Sequence, residues 1–271
     1  MSELPKKIVV WVTVPQRKFN SVEQFHPNLK RLFNRLSELS ADDTCPYEFY
    51  LAVMVGGIAR ARNKITHAFK LANLQNENVK WLLTLDDDIE TNPDASDILR
   101  LLSHKRPLVG AMYTTREVEG VHWVTNFMHE VVLQKGGLLQ VLETGTGMKL
   151  HHINVFTELE RILADSINYT DRDTGERITA YYQQVVLKTD VRPDGDFLPE
   201  DFFFDHLCRM CKIGIFIDTT MKLKHRGPDE TLYPVGDWPA IPGLLPAPSH
   251  LEDEIDEIQG DKFLTRRKVL D

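Results

Sequence analysis

The apolar run over residues 79–85 ends abruptly in three carboxylates, Asp86, Asp87 and Asp88. Like charges a few Å apart raise one another's pKa and are costly when partly desolvated. A hard divalent ion with oxygen ligands turns that repulsion into binding, so the cluster predicts a metal site. The plain alternative is a solvated turn capping the helix that opens near Pro93, because carboxylates favour helix N-termini. A calcium loop would need glycine where Thr91 stands and would not follow a strand. A phosphatase of the haloacid-dehalogenase type would want Thr or Val where Glu90 stands.

Other side chains able to do chemistry lie downstream. Glu200 and Asp201 open a helical stretch, and a carboxylate within reach of a hydroxyl can take its proton. His225, in Lys224-His225-Arg226-Gly227, offers an imidazole to a metal only because aspartates precede it. Arg60 and Arg62 suit a phosphate or a base edge, or simply form a solvated helix face. Cys208 and Cys211 have no second cysteine pair and lie beside Leu207 and Met210, which predicts core packing rather than zinc. His151 and His152 lack a partner at ligand spacing and are read as structural.

The elements that must position these groups alternate. Residues 8–15 are β-branched and end on Pro15, predicting a buried first strand. Residues 28–39 carry Leu29, Leu32, Phe33, Leu36 and Leu39 at helical spacing. A strand over 47–55, a helix over 58–74, the strand 79–85, a helix over 93–102 and a strand over 107–113 follow. This order predicts an α/β fold with right-handed crossovers and a doubly wound, mostly parallel sheet. Ligands bind such sheets at the carboxyl ends of the strands, where Pro15, the Gly56-Gly57 turn and the aspartates all fall. Antiparallel strands are predicted over 123–132 and 138–142, a helix over 154–163, and a hairpin or mobile loop over 166–198. A helix over 200–211 and a strand over 213–218 follow. Residues 1–227 are read as one catalytic domain, and 228–271 as a proline-rich, then helical, extension docking on the body or on a second copy in a homodimer.

With 271 residues and 42% hydrophobic content, the chain can build a substantial core. Its formal charge of −8 opposes broad attraction to phosphate backbones. Three cysteines point to reduced thiols. The apolar stretch behind the polar N-terminus is too short for a signal peptide or a membrane span, so a cytoplasmic location is expected, the host cytoplasm if the protein is virus-encoded.

Four segments together resemble nucleotide-sugar-dependent glycosyltransferases of the A fold, particularly family 2 and its virus-encoded relatives. They are Leu85-Asp86-Asp87-Asp88, Gly145-Thr146-Gly147-Met148-Lys149-Leu150 with Val155-Phe156, Pro199-Glu200-Asp201-Phe202-Phe203-Phe204, and Lys224-His225-Arg226-Gly227. The resemblance spans about residues 8–227. It implies an Mn2+ or Mg2+ ion held by Asp88 and His225, with Asp86 at a metal-bound water or the ribose and Asp87 beside it. It implies a UDP-sugar donor, with Thr13, Pro15 and Arg17 at the nucleobase and Arg60, Arg62 and Asn63 on the nucleotide-side helix. Arg116 would reach the diphosphate or the acceptor, and Gly147 would admit the sugar. Asp201 is implied as the base, assisted by Glu200, giving inversion. The aromatic-rich acceptor signature is reduced to Phe202, Phe203 and Phe204, so the acceptor stays open among a glycan, a small molecule, a protein and a modified nucleobase in DNA. A nucleotidyltransferase would carry a glycine-rich loop where Val14-Pro15-Gln16-Arg17-Lys18 stands. A non-catalytic nucleotide- or glycan-binding module would bind but not transfer.

Overall fold

Val10, Val12 and Val14 are fully buried in the first strand, β1 (Ile8–Gln16), as a central strand covered on its faces requires. The computed structural model describes residues 6–16, 26–115, 124–128, 131–163, 167–189, 192–221, 223–227, 231–234 and 244–245. After β1 come α1 (Pro27–Ala41), β2 (Tyr47–Val55), α2 (Ile58–Gln75), β3 (Val79–Leu85), the short β4 (Ile89–Glu90), α3 (Ser96–Ser103) and β5 (Leu108–Ala111). The second half holds β6 (Thr125–Phe127), β7 (Val131–Gln134), β8 (Leu138–Thr144), β9 (Met148–His152) and α4 (Ile153–Leu163). Two hairpins follow, β10 (Asn168–Thr170) with β11 (Arg177–Thr179) and β12 (Val185–Thr189) with β13 (Arg192–Leu198). Then come α5 (Glu200–Met210), β14 (Ile215–Asp218), β15 (Lys224–Arg226), β16 (Leu232–Pro234) and β17 (Leu244–Leu245).

The large sheet runs β17-β7-β8-β14-β5-β9-β3-β1-β2, with β6 on β8. β1 is parallel to both β2 and β3, and β14 is parallel to β5. The steps from β1 to β2 and from β2 to β3 travel in opposite directions, so right-handed crossovers place α1 and α2 on opposite faces. The fold is therefore α/β with a large, mostly parallel sheet wound by helices, as expected at that level. One feature departs from the expectation: β9 runs antiparallel between β3 and β5. The segment after Gly147, read as leading directly to a helix, is thus first a central strand and only then α4.

Apolar spacing accounts for the helices. All five predicted positions of α1, Leu29 to Leu39 in steps of three and four, are buried. Pro27 opens this helix and the His26 ring accepts the Asn28 N–H at 3.2 Å. On the opposite face, rings from four elements pack in sequence: Trp11 on Phe69 of α2, Phe69 on Phe156 of α4, and Phe156 on Phe204 of α5. Cys208 and Cys211 are free thiols in this core.

Three smaller expectations are corrected. Pro15 does not end β1, which pairs with β2 through Gln16; at this position proline lacks only one ladder donor. The strand expected over 123–132 is two strands, β6 and β7. The 166–198 segment is two hairpins, the first closed by the Asp171 carboxylate, which accepts the Asp173 and Thr174 N–H groups. Beyond residue 227, β16 pairs with β15 and β17 with β7. The helix and subunit contact expected in 251–271 lie outside the described residues. No helix among those described is long and apolar enough to cross a membrane.

Candidate active site

Asp86 follows the last residue of β3, and its counter-charge comes from within the chain. Arg62, on the second turn of α2, donates from Nη2 to Asp86 Oδ1 at 3.0 Å and Oδ2 at 3.1 Å, and from Nη1 to Glu200 Oε1 at 2.7 Å. Only 3% of Arg62 is exposed. Burial alone would lower its pKa, but the carboxylates of Asp86, Asp201 and Glu200 outweigh that and raise it above the ordinary guanidinium value. The premise that three clustered aspartates need an external cation is therefore corrected for Asp86, which a buried guanidinium already neutralises. Arg62 also lies 5.9 Å from the centre of the Tyr182 ring.

Asp88 faces a different partner. β15 pairs with β4 immediately past the aspartates, setting His225 opposite Ile89, and the Arg226 N–H donates to the Asp88 carbonyl at 2.7 Å. His225 Nδ1 is 2.7 Å from the Thr114 carbonyl, which can only accept, so Nδ1 carries the proton. Nε2 is then the basic nitrogen, 3.7 Å from Asp88 Oδ1. That separation exceeds a hydrogen bond. A backbone carbonyl fixing the tautomer of an imidazole whose other nitrogen faces a carboxylate is the arrangement of a metal-ligating histidine. Among the described residues no group of three or more His, Cys, Asp or Glu side chains could hold a metal ion. Asp88 and His225 would therefore supply at most half the ligands of a divalent ion, a half-site to be completed by ligand oxygens.

The two clusters are stitched together at Gly147. Its carbonyl accepts the Asp86 N–H at 2.8 Å and its N–H donates to the buried Tyr113 hydroxyl at 3.0 Å. Tyr113 in turn packs edge-on against the His225 ring, with centroids 5.4 Å apart. A Cβ at Gly147 would lie 2.7 Å from Tyr113 Cζ, so glycine is required by close approach.

Asp201 stands in the first turn of α5, where the helix dipole favours negative charge. Its Oδ1 accepts the Phe202 N–H at 2.9 Å, and its charge acts on the Arg62 guanidinium. Glu200 beside it is buried and held by Arg62.

Other predicted site residues are placed differently. Thr13 is fully buried and donates to the Leu83 carbonyl at 3.0 Å, tying β1 to β3. Pro15 is a buried residue of β1. Asn63 grips the Tyr182 backbone, donating to its carbonyl and accepting its N–H, both at 2.9 Å. Arg60 turns away from Asp86 to Asp171 at 2.9 Å and Asp173 at 2.7 Å. Burial opposes ionisation of Asp171, but hydrogen bonds from Arg60 and Lys64 hold its carboxyl well below the usual range. Asp87 is exposed. Arg17 and Arg116 lie outside the described residues.

Sequence reasoning missed Tyr113, Thr114, Tyr182 and a fully buried ion pair, Lys149 with Asp205. The one available signal for the pair was a lysine inside the apolar stretch Met148-Lys149-Leu150 and an aspartate four residues after Asp201.

No family model matches the chain, and no curated protein matches it. Among solved structures, A197 from STIV is similar over 86% of this chain and 97% of its own, at 13% identity and a TM-score of 0.45. A glycosyltransferase involved in the glycosylation of the major capsid of PBCV-1 is similar over 57% of this chain and 67% of its own, at 13% identity and a TM-score of 0.31. With both TM-scores below 0.5, function has to be argued from the site itself.

Proposed function

We propose that this chain is a metal-dependent glycosyltransferase of the A fold, moving a sugar from a nucleotide-sugar donor to an acceptor hydroxyl with inversion. One observation carries the reading: the Asp88–His225 half-site and the Arg62–Asp86–Glu200 cluster are joined through Gly147 and Tyr113, with Asp201 acting on the same guanidinium. A bound divalent ion would supply Lewis-acid neutralisation of a leaving diphosphate. Asp88 Oδ and His225 Nε2 would hold it, and the imidazole favours Mn2+ over Mg2+. Asp86, fixed by Arg62, would meet the ribose of a UDP-sugar or a metal-bound water. Asp201 keeps one oxygen on the Phe202 N–H and offers the other to an acceptor hydroxyl, taking its proton as the hydroxyl attacks. Single displacement from the side opposite the diphosphate inverts the anomeric carbon. The acceptor is a glycan, a small molecule, a protein or a modified nucleobase in DNA, and the working location is the cytoplasm.

Isothermal titration of UDP and GDP, each with and without Mn2+, tests the reading. Metal-dependent binding of UDP is expected, and metal-independent binding or none removes it. Slow hydrolysis of a UDP-sugar by the purified protein separates an enzyme from a binding module.

A further inference from the structure

Asp205 lies four residues beyond Asp201, on the same face of α5, and is completely buried. Its counter-ion, Lys149 of β9, is equally buried. Lys149 Nζ donates to Asp205 Oδ1 at 2.8 Å, to Oδ2 at 3.0 Å and to the Thr144 carbonyl at 2.8 Å. The Thr144 N–H donates to Asp205 Oδ2 at 2.7 Å. The ammonium's three protons are thereby all placed, and the Phe204 ring lies 5.8 Å from Nζ.

These four bonds join three segments, each adjoining a residue of the site. Thr144 ends β8 just before the turn that holds Gly147. Lys149 is two residues past Gly147, on the strand paired to β3. Asp205 is one helical turn past Asp201. A buried ion pair is poor evidence of stabilisation, because apolar side chains of similar volume often pack there at equal or lower free energy. What apolar side chains cannot reproduce is direction. The bonds fix both the depth and the rotation of α5 against the Gly147 turn.

We propose that Lys149 and Asp205 are positioning residues that hold the Asp201 carboxylate in register with the donor edge at Gly147 and Asp86. The proposal rests on the glycosyltransferase reading above. Neither residue touches substrate; each acts through the backbone segment it anchors. Displacement of a reacting group by about 1 Å costs on the order of 100-fold in rate, which sets the scale of the expected effect.

The test replaces both members, Lys149→Met with Asp205→Leu, so that no charge is left buried alone. Three quantities are read on the wild type and the double variant: unfolding by urea, UDP binding with Mn2+, and steady-state transfer or donor hydrolysis. Amide hydrogen exchange over residues 200–204 is followed in the same samples. The expected double variant unfolds cooperatively and binds UDP within twofold of wild type. Its kcat falls by about 10- to 100-fold with donor KM unchanged. Exchange over 200–204 rises at least about tenfold, the equivalent of about 1.4 kcal/mol, while exchange in α3 stays as it was. A double variant that keeps kcat, or that keeps wild-type exchange over 200–204, overturns the proposal. If wild type itself neither binds UDP nor turns over a donor, the functional reading has failed, and unchanged exchange over 200–204 still decides against the pair while a confined rise supports it. If the double variant does not fold, Lys149→Arg in the full chain is measured instead: a longer cation must shift α5, so unchanged kcat and exchange overturn the proposal, and a kcat loss at constant KM supports it.

Discussion

Arg62 holds two carboxylates from segments far apart in the chain, Asp86 and Glu200, while almost wholly excluded from water. Removing it by Arg62→Met would leave two carboxylates facing each other without a cation. Breaking a buried pair in this way typically costs about 3–5 kcal/mol, and the loss is read as a fall in the urea midpoint at unchanged slope. The proposed metal half-site responds differently, because Asp88 and His225 are each partly exposed. Asp88→Ala and His225→Ala are expected to fold normally and to abolish the Mn2+ dependence of UDP binding, measured by titration calorimetry. Asp201→Asn is expected to keep metal-dependent UDP binding and to lose transfer by 100-fold or more, the scale of general-base catalysis at about 10²–10⁴. A variant that binds as wild type and still transfers removes Asp201 from the mechanism.

At the scale of elements, the strand carrying Gly147 does most to bring these residues together. β9 enters the sheet between β3 and β5, with Leu83 opposite Leu150 and Leu85 opposite Met148. Gly147→Ala would drive a methyl into the Tyr113 ring, and overpacking of this kind costs about 1–3 kcal/mol. Because the three nearest atoms all belong to Tyr113, Tyr113→Leu should relieve part of it. A double-mutant cycle on Gly147→Ala and Tyr113→Leu, followed by urea unfolding, is expected to give a coupling of at least about 0.5 kcal/mol, whereas strict additivity would place the clash elsewhere. The sequence revealed α1, α2 and β2 nearly residue by residue because their periodicity is local. β9 was hidden for the opposite reason. Its pairing partners, β3 and β5, are distant in the chain, and Lys149, His151 and His152 interrupt the apolar pattern expected of a buried strand. The same logic applies to the site. Asp86, Asp88 and Asp201 stood out as candidates by type and by position at element ends, and His225 only through the aspartates before it, whereas Arg62 and Asp205 acquire their meaning from partners that no spacing rule connects.

For the whole molecule, buried titratable groups predict how stability varies with pH, and three of them pull in different directions. His151 is fully buried between the Leu82 carbonyl and the Tyr182 hydroxyl, and burial, reinforced by the charge of Lys149, lowers its pKa to about 3. Between its unfolded value of 6.5 and pH 3 the unfolded chain holds the extra proton, so this group destabilises the fold as pH falls. Asp205 behaves oppositely. Burial raises its pKa to about 6 despite Lys149, so between pH 6 and 3.8 the folded state holds the extra proton and acidification favours folding. Each full proton difference changes stability by about 1.4 kcal/mol per pH unit, so from pH 6 to 4 the two contributions oppose each other with similar slope. Asp218, fully buried, is held down to about 2: burial would raise it, but hydrogen bonds from His104, Thr220 and Arg100 prevail. Its contribution is lost only below its unfolded value of 3.8. Between pH 6 and 4 the contributions of His151 and Asp205 therefore oppose each other, and that of Asp218 is lost only below 3.8. Two variants expose the cancellation. Asp205→Asn removes the favourable uptake, so relative to wild type its stability should drop progressively on going from pH 6 to 4. His151→Gln removes the unfavourable uptake, so relative to wild type its stability should rise over the same interval. Urea unfolding of wild type and both variants at pH 6, 5 and 4 measures the slopes directly, and slopes of the same sign in the two variants, taken relative to wild type, would contradict the assignment of a neutral histidine and a proton-binding aspartate to the core beneath the site.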